Sequence, residues 1–140
     1  EWSNLVQQTM NLLQKENELE EIVRLVGIDA LSYRDRMTLE ATRSIREDYL
    51  HQNAFHEVDT YTSPRKQYLM LKAILLNYEK SLDALSADAS FNRLIQLPVR
   101  ERIGRLKYVP EDEAQAEYDA ILADMNAQIG ALTEGGEQNA

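Results

Sequence analysis

Residues 63–85 read SPRKQYLMLKAILLNYEKSLDAL, and this stretch decides the fold class. Ser63 supplies a capping hydroxyl, and Pro64 follows at the first helical position, where its fixed φ and missing N–H are tolerated. We therefore predict a helix over 64–85. Its apolar side chains are too numerous for a narrow stripe, so the helix is expected to be central. The side chains expected to be buried, in some combination, are Tyr68, Leu69, Leu71, Leu75, Leu76, Tyr78 and Leu82.

Helical periodicity continues upstream of this segment. Apolar residues recur at helical spacings from Leu5 onward, and Gly27 can end the helix in a left-handed conformation, which predicts a helix over 4–26. Ser32 can cap a second helix. The apolar stripe of this second helix is formed by Met37, Ala41, Ile45 and Tyr49.

Two short helices and one long helix are predicted downstream. The short ones cover 91–96 and 99–106, with Pro98 between them because the residue before a proline disfavours the α conformation. Pro110 then begins a long helix that runs to 132. The sequence after it, 133–140, lacks a helical apolar pattern, and we expect it to be a flexible tail.

Composition agrees with an all-α fold. The 140 residues include only three prolines and five glycines, too few for a turn-rich β-protein of this size. We predict one domain over 4–132, a helical bundle of about four main helices plus one or two short ones. The absence of cysteine excludes disulfides and thiolate metal sites, and no apolar run predicts a membrane span or secretion signal. A cytoplasmic location is therefore expected.

The charge distribution argues against nucleic-acid binding. The net charge is −9, from 15 basic and 24 acidic residues, and the segment 108–140 contains acids but no base. Binding to a phosphate backbone requires clustered Lys and Arg, which a nearly neutral body followed by an acidic end does not provide. One basic stretch could still form such a patch, or instead pair with the acids after Pro110, and we favour the pairing. The stretch comprises Arg93, Arg100, Arg102, Arg105 and Lys107.

Catalytic and metal-binding motifs are also missing from the sequence. It contains neither a phosphate-binding Gly-x-x-x-x-Gly-Lys-Ser/Thr loop nor a dinucleotide-binding Gly-x-Gly-x-x-Gly turn. His51 and His56 are five residues apart, which does not place two metal ligands on one helical face. Glu57 and Asp59 lie beside His56, but no nucleophile is spaced to meet them. We therefore expect no metal site and no catalytic residue in this chain.

Three segments carry a resemblance to a known family. They are LEEIVRLVG at 19–27, IREDYLHQNAFHEVDTY at 45–61 and LPVRERIGR at 97–105. Together they resemble the C-terminal helical domain of the catalytic A (alpha) subunit of archaeal and bacterial A/V-type rotary ATPases. The middle segment is the most specific, because helix formation does not require its QNAFHEVD run. Tyr49 and His51 replace the common Phe and Gln, and Thr62 replaces the usual Cys.

The resemblance implies that this chain is one end of a longer subunit that binds ATP and Mg upstream of it. The fragment itself is then expected to hold no cofactor and to be inactive alone. Implied partners are the B subunit of the catalytic hexamer and the rotor subunits of the central stalk, with no nucleic acid and no membrane insertion. The implied complex couples ATP synthesis or hydrolysis to rotation and to proton or sodium transport, as a cytoplasmic assembly peripheral to the membrane. The alternatives are a stand-alone helical interaction or regulatory domain and a helical metal- or DNA-binding protein.

The resemblance also implies two functional sites. Phe55 matches an aromatic residue that lies against the adenine ring in the nucleotide pocket. The turn after Gly27 resembles the Asp-Glu-Leu-Ser-Glu-Glu-Asp turn of the β subunit of F-type ATP synthases, which contacts the rotating shaft, although Tyr33 and Arg34 replace two of its acids. The rotor contact is therefore predicted at Asp29, Ala30, Leu31, Ser32, Tyr33, Arg34, Asp35 and Arg36.

Overall fold

Six α-helices make up the computed structural model, which describes residues 1–50 and 62–134, and these residues contain no β-strand. Four of the helices are long and two are short, which confirms the predicted all-α class and helix number. In chain order they are α1 (Trp2–Val26), α2 (Tyr33–Ser44), α3 (Pro64–Ser86), α4 (Phe91–Leu94), α5 (Pro98–Gly104) and α6 (Ala114–Glu134).

Serine caps begin three of the helices. The Ser63 hydroxyl accepts a 3.1 Å hydrogen bond from the backbone N–H of Lys66, and Ser32 accepts the equivalent bond from Asp35. Ser90 does the same at the start of α4. Each serine hydroxyl accepts a hydrogen bond from a backbone N–H that has no acceptor within its own helix. The caps predicted at 32 and 63 are therefore confirmed.

The third helix, α3, is central, as its apolar content predicts. It packs against α6 on one side and against α2 and α1 on the other. Its side chains supply a large part of the core, joined by Met37 and Ile45 from the α2 side and Ile121 and Met125 from α6. The buried residues of α3 itself are Lys66, Leu69, Met70, Leu71, Ala73, Ile74, Leu75, Asn77, Ser81 and Ala84.

The first helix contributes little to the core. Only two of its apolar residues, Leu5 and Leu19, are buried, and the polar Thr9 and Glu16 are buried beside them. The apolar pattern over 4–26 therefore predicts the helix correctly but overstates how much of it this chain covers. The exposed large apolar residues of α1 are Trp2, Val6, Met10, Ile22, Leu25 and Val26.

Several element boundaries differ from the predicted ones. The second helix is α-helical only to Ser44, and Ile45–Leu50 continues it as a π-helical turn. A single 3₁₀ turn, Glu111–Glu113, follows Pro110 and delays α6 to Ala114. At the other end α6 reaches Glu134, two residues into the segment predicted to be a tail, and 135–140 lie outside the described residues.

Candidate functional site

The predicted rotor-contact residues lie in the turn between α1 and α2. Gly27 ends α1 with φ +96°, a backbone angle that residues with a side chain rarely adopt. A 3₁₀ turn, Ile28–Ala30, follows, and Leu31 returns the chain to the core with 5% of its surface exposed. Ser32 then caps α2. We call residues 28–36 the tip.

An ion pair behind the tip holds its two helices side by side. Glu16 on α1 accepts hydrogen bonds from Nε and Nη2 of Arg46, at 2.9 Å and 2.6 Å. At 1.5 Å of rise per helical residue, Glu16 lies about 15 Å and Arg46 about 20 Å from the turn. Helices that pair residues at similar distances from their connection are antiparallel, so the tip is the end of a helical hairpin.

The outward part of the tip is short. Ile28 is 43% exposed, Ala30 is exposed, and the side chain of Asp29 is 98% exposed although its carboxylate accepts a 3.4 Å hydrogen bond from Arg36. These three residues present a small surface with one acidic group at the end of the hairpin.

Tyr33 and Arg34 contact the rest of the bundle, although Tyr33 is 55% exposed and Arg34 is exposed. The Tyr33 ring stacks on the Phe91 ring of α4, with centroids 5.2 Å apart and planes 17° from parallel. Arg34 Nη1 donates to the Leu82 carbonyl at 3.2 Å and to the Ser86 hydroxyl at 2.9 Å. Tyr33 and Arg34 are the two positions where the sequence departs from the acidic F-type turn.

Arg36 holds the turn itself. Its Nε donates a 3.2 Å hydrogen bond to the Leu31 carbonyl, and its guanidinium lies 5.2 Å from the centroid of the Tyr33 ring. The structure thus brings the eight predicted rotor-contact residues into one turn, with Asp29 and Ala30 facing outward and Leu31 facing the core.

Five residues that the sequence singled out fall outside the described residues, which omit 51–61. They are Phe55, the predicted adenine contact, and His51, His56, Glu57 and Asp59, the acid, base and metal candidates.

Two arginines of the basic stretch, Arg100 and Arg102 on α5, form ion pairs within the protein. Arg102 donates from Nε and Nη2 to both carboxylate oxygens of Glu117 and from Nη1 to Asp124, so its pairing with the acids of α6 is as expected. The hydrogen bonds that Arg102 donates to these two carboxylates raise its pKa. Arg100 instead binds Glu40 of α2 at 2.8 Å, because α5 also contacts the end of α2.

Two buried lysines form a cluster that the sequence analysis missed. Lys66 is fully buried, and its Nζ donates a 2.7 Å hydrogen bond to the carbonyl of Lys107. Lys107 Nζ in turn donates to the carbonyl of Glu47, in the π-helical turn, at 2.9 Å. The sequence does contain an indication that Lys66 is buried. Leu69 and Met70, three and four residues later, lie on the same helical face as Lys66.

Asp48 lies beside this cluster. Burial raises its pKa, although the nearby charge of Lys107 acts in the opposite direction. Glycine at 104 makes the arrangement possible, since a Cβ there would come within 3.1 Å of the Asp48 carboxylate. Burial also disfavours the charged form of Arg100, which lowers the pKa of this arginine.

The described part of the chain has neither a metal-ion cluster nor a membrane-spanning helix. Over 1–50 and 62–134, His, Asp and Glu side chains do not gather in any group of three or more that could hold a metal ion. In the same ranges, no helix combines the length and apolar character needed to cross a bilayer.

Comparison with known proteins gives a family and close relatives. The family described as the C-terminal domain of V and A type ATP synthase matches residues 1–94. The V-type ATP synthase alpha chain of Acetivibrio thermocellus is 61% identical over 132 residues, covering 94% of this chain and 22% of that protein. The alpha chain of Thermoanaerobacter pseudethanolicus is 51% identical over 140 residues, 100% of this chain and 24% of that one. This chain therefore spans less than a quarter of the length of these relatives.

Proposed function

Because this chain belongs to the C-terminal domain family of V and A type ATP synthases, we propose that it is the lever of the alpha chain. In this role the tip contacts the rotor subunits of the central stalk. Movement of the bundle is thereby coupled to rotation as ATP is made or hydrolysed. Family membership favours this function over a stand-alone helical adaptor.

The observation that carries the proposal is the geometry of the hairpin. An exposed turn lies at the end of two antiparallel helices, which the Glu16–Arg46 pair joins about 15 to 20 Å behind it. A helix resists compression along its hydrogen-bonded axis, so a force on the turn is passed to the bundle. A contact that transmits force depends on steric bulk more than on any single charge. The end of the hairpin, where Asp29 is the one exposed carboxylate, can therefore serve as such a contact.

The proposal assigns the chemistry to the rest of the alpha chain. ATP and Mg would bind upstream of this domain, next to a B subunit in the catalytic hexamer, and the domain alone would not hydrolyse ATP. Phe55 is proposed to lie against the adenine. The assembly would work on the cytoplasmic side of the membrane as a peripheral part of an ion-transporting complex.

The test removes bulk from the outward part of the tip in the assembled complex. The double variant Ile28→Ala/Asp29→Ala leaves the contacts of Tyr33 and Arg34 in place. We expect torque, and the number of ions transported per ATP hydrolysed, to fall by about half or more, while KM for ATP stays within about twofold of the wild-type value.

The matched control is Met10→Ala/Glu18→Ala, which removes one exposed apolar and one exposed acidic side chain from α1 far from the tip. This control should keep wild-type torque. Wild-type torque in the Ile28→Ala/Asp29→Ala variant would rule out the rotor contact.

A further inference from the structure

We propose that Tyr33 and Arg34 are positioning residues, which brace the tip against α3 and α4 so that the tip and the bundle move as one body. This inference rests on the proposed lever function. Within the tip, Ile28, Asp29 and Ala30 form the end of the hairpin, and Tyr33 and Arg34 form a brace against the bundle while part of each side chain stays exposed.

The Tyr33–Phe91 stack is the first element of the brace. Ring centroids 5.2 Å apart with nearly parallel planes are within the range of favourable aromatic packing. Phe91 stands at the start of α4, and this short helix is anchored by Leu94, which is 1% exposed. A load on Tyr33 is therefore passed to a residue whose own helix is fixed in the core.

Arg34 is the second element. Its two hydrogen bonds reach the last turns of α3, at the Leu82 carbonyl and the Ser86 hydroxyl. A cation at this end of a helix is also favoured by the helix dipole. Arg34 thus fastens the beginning of α2 to the end of the central helix.

The contact between α2 and α3 continues behind Arg34. Thr38, one helical turn along from Arg34, shares a 2.8 Å hydrogen bond with the Tyr78 hydroxyl of α3. Met37, on the same side of α2, is 1% exposed. The brace is therefore the outermost part of an interface that reaches the core.

The other helix of the hairpin gives the tip less support. Leu25 and Val26, the last residues of α1, are 73% and 69% exposed. Among the described residues, the side-chain contacts that tie the tip to the body of the bundle come from the α2 side. Loss of the brace should then leave a hairpin end that bends under load.

The experiment compares four variants of the assembled complex: Tyr33→Ala, Phe91→Ala, the double variant, and Tyr33→Phe, which keeps the ring. Tyr33→Ala and Phe91→Ala should lower torque by similar factors, about twofold, and the double variant should be no worse than either. Tyr33→Phe should retain wild-type torque. KM for ATP should not change. Amide exchange over 28–32 should accelerate about threefold or more in the two alanine variants.

The outcomes separate the brace from the lever. If Tyr33→Ala lowers torque but Phe91→Ala does not, Tyr33 acts on the rotor directly and the brace is wrong. If neither lowers torque while Ile28→Ala/Asp29→Ala does, the lever stands and the brace is again wrong. If none of these variants lowers torque, both proposals fail. Faster exchange with wild-type torque would also overturn the brace, since a flexible tip would then transmit force equally well.

The hydrogen bonds of Arg34 allow a second, independent test with a pair of variants. Arg34→Gln removes the charge and the fork of donors, and Ser86→Ala removes one acceptor from the α3 side. Both should lower torque, with Arg34→Gln having the larger effect because it also loses the Leu82 carbonyl. Wild-type torque in Arg34→Gln would remove this residue from the brace.

Discussion

Glu16 and Arg46, 30 residues apart in the chain, join the two helices of the hairpin through a two-pronged ion pair. Nε and Nη2 of Arg46 both donate to the Glu16 carboxylate, which is 7% exposed, whereas the Arg46 side chain is 52% exposed. A planar guanidinium fits a carboxylate in this way, so the pair fixes orientation as well as distance. Among the ion pairs of the described residues, this one joins α1 to the π-helical turn that continues α2.

The first prediction concerns the stability that this pair provides. Glu16→Gln should lower the free energy of unfolding by about 1 kcal/mol at pH 7, a modest value because Arg46 is half exposed. Urea unfolding measures the change. Glu18→Gln, on an exposed position of the same helix, is the control and should have no effect.

The same pair predicts a pH dependence. Hydrogen bonding from Arg46, aided by Thr42 and opposed by burial, lowers the pKa of Glu16 below its ordinary value of 4.5. A carboxyl whose folded-state pKa is depressed stabilises the fold above its unfolded-state pKa and loses that contribution as pH falls through the folded-state pKa. The difference between wild type and Glu16→Gln should therefore shrink below about pH 4. A difference that is the same at pH 7 and pH 3 would contradict this assignment.

The second prediction concerns the buried lysine of α3. Lys66→Met keeps an unbranched side chain that is one heavy atom shorter, but it leaves the Lys107 carbonyl without the hydrogen bond that Lys66 donates. Loss of the donor to a buried carbonyl should cost about 2 kcal/mol in unfolding free energy. The control is Lys15→Met on an exposed position of α1. An unfolding midpoint equal to that of wild type would show that Lys66 contributes no net stability.

Local sequence signals account for what was predicted correctly. The caps at Ser32 and Ser63, and the apolar content of α3, depend on residues a few positions apart, so they can be recognised without knowing the tertiary structure. They predict the starts of α2 and α3 and the central place of α3. The turn at 28–31 is found for the same reason, since Gly27 and Ser32 bracket it.

Features that depend on residues distant in sequence could not be predicted in this way. The pattern of α1 indicates an apolar face but not whether this chain covers it, and Leu25 and Val26 remain exposed. Arg100 pairs with Glu40 rather than with α6 because of where α5 packs. The braces of Tyr33 and Arg34 likewise reach partners about 50 positions away in sequence.

The third prediction concerns Arg102, which bridges α5 and α6. Glu117 and Asp124 are seven residues apart, so they lie on one face of α6 and one guanidinium can reach both. An ammonium lacks this fork of donors, so Arg102→Lys should lower the thermal midpoint, and Arg102→Met should lower it further. In 1 M salt the differences should diminish because the pair is partly exposed. Equal midpoints for the Lys variant and wild type would contradict the bridging role.

The fourth prediction tests Phe55 in the intact alpha chain. If its ring lies against adenine, Phe55→Ala should weaken ATP binding several-fold, since aromatic stacking contributes on the order of 1 kcal/mol. Phe55→Tyr should retain most of the affinity because it keeps the ring. Fluorescence titration with ATP and Mg measures both. Unchanged affinity in Phe55→Ala would exclude the adenine contact.

The fifth prediction uses two glycines with opposite expected outcomes. A Cβ added at Gly27 or at Gly130 would meet no atom within 4 Å, so any effect of alanine comes from the backbone. Gly27 has φ +96° and ψ 163°, a region that is essentially limited to glycine, and Gly27→Ala should cost about 1 to 3 kcal/mol. Gly130 lies within α6, where alanine is the better helix former, so Gly130→Ala should add about 0.5 to 1 kcal/mol.

Urea unfolding of the two variants gives the comparison directly, with each serving as the control for the other. In the assembled complex, Gly27→Ala should also reduce torque, because the strain is relieved by reshaping the turn that holds Ile28 and Asp29 outward. Gly130→Ala should leave torque unchanged, since Gly130 lies in α6 and outside the tip. Equal stability in the two variants would mean that the turn accepts a side chain at 27 without strain, and the left-handed end of α1 would then not determine the shape of the tip.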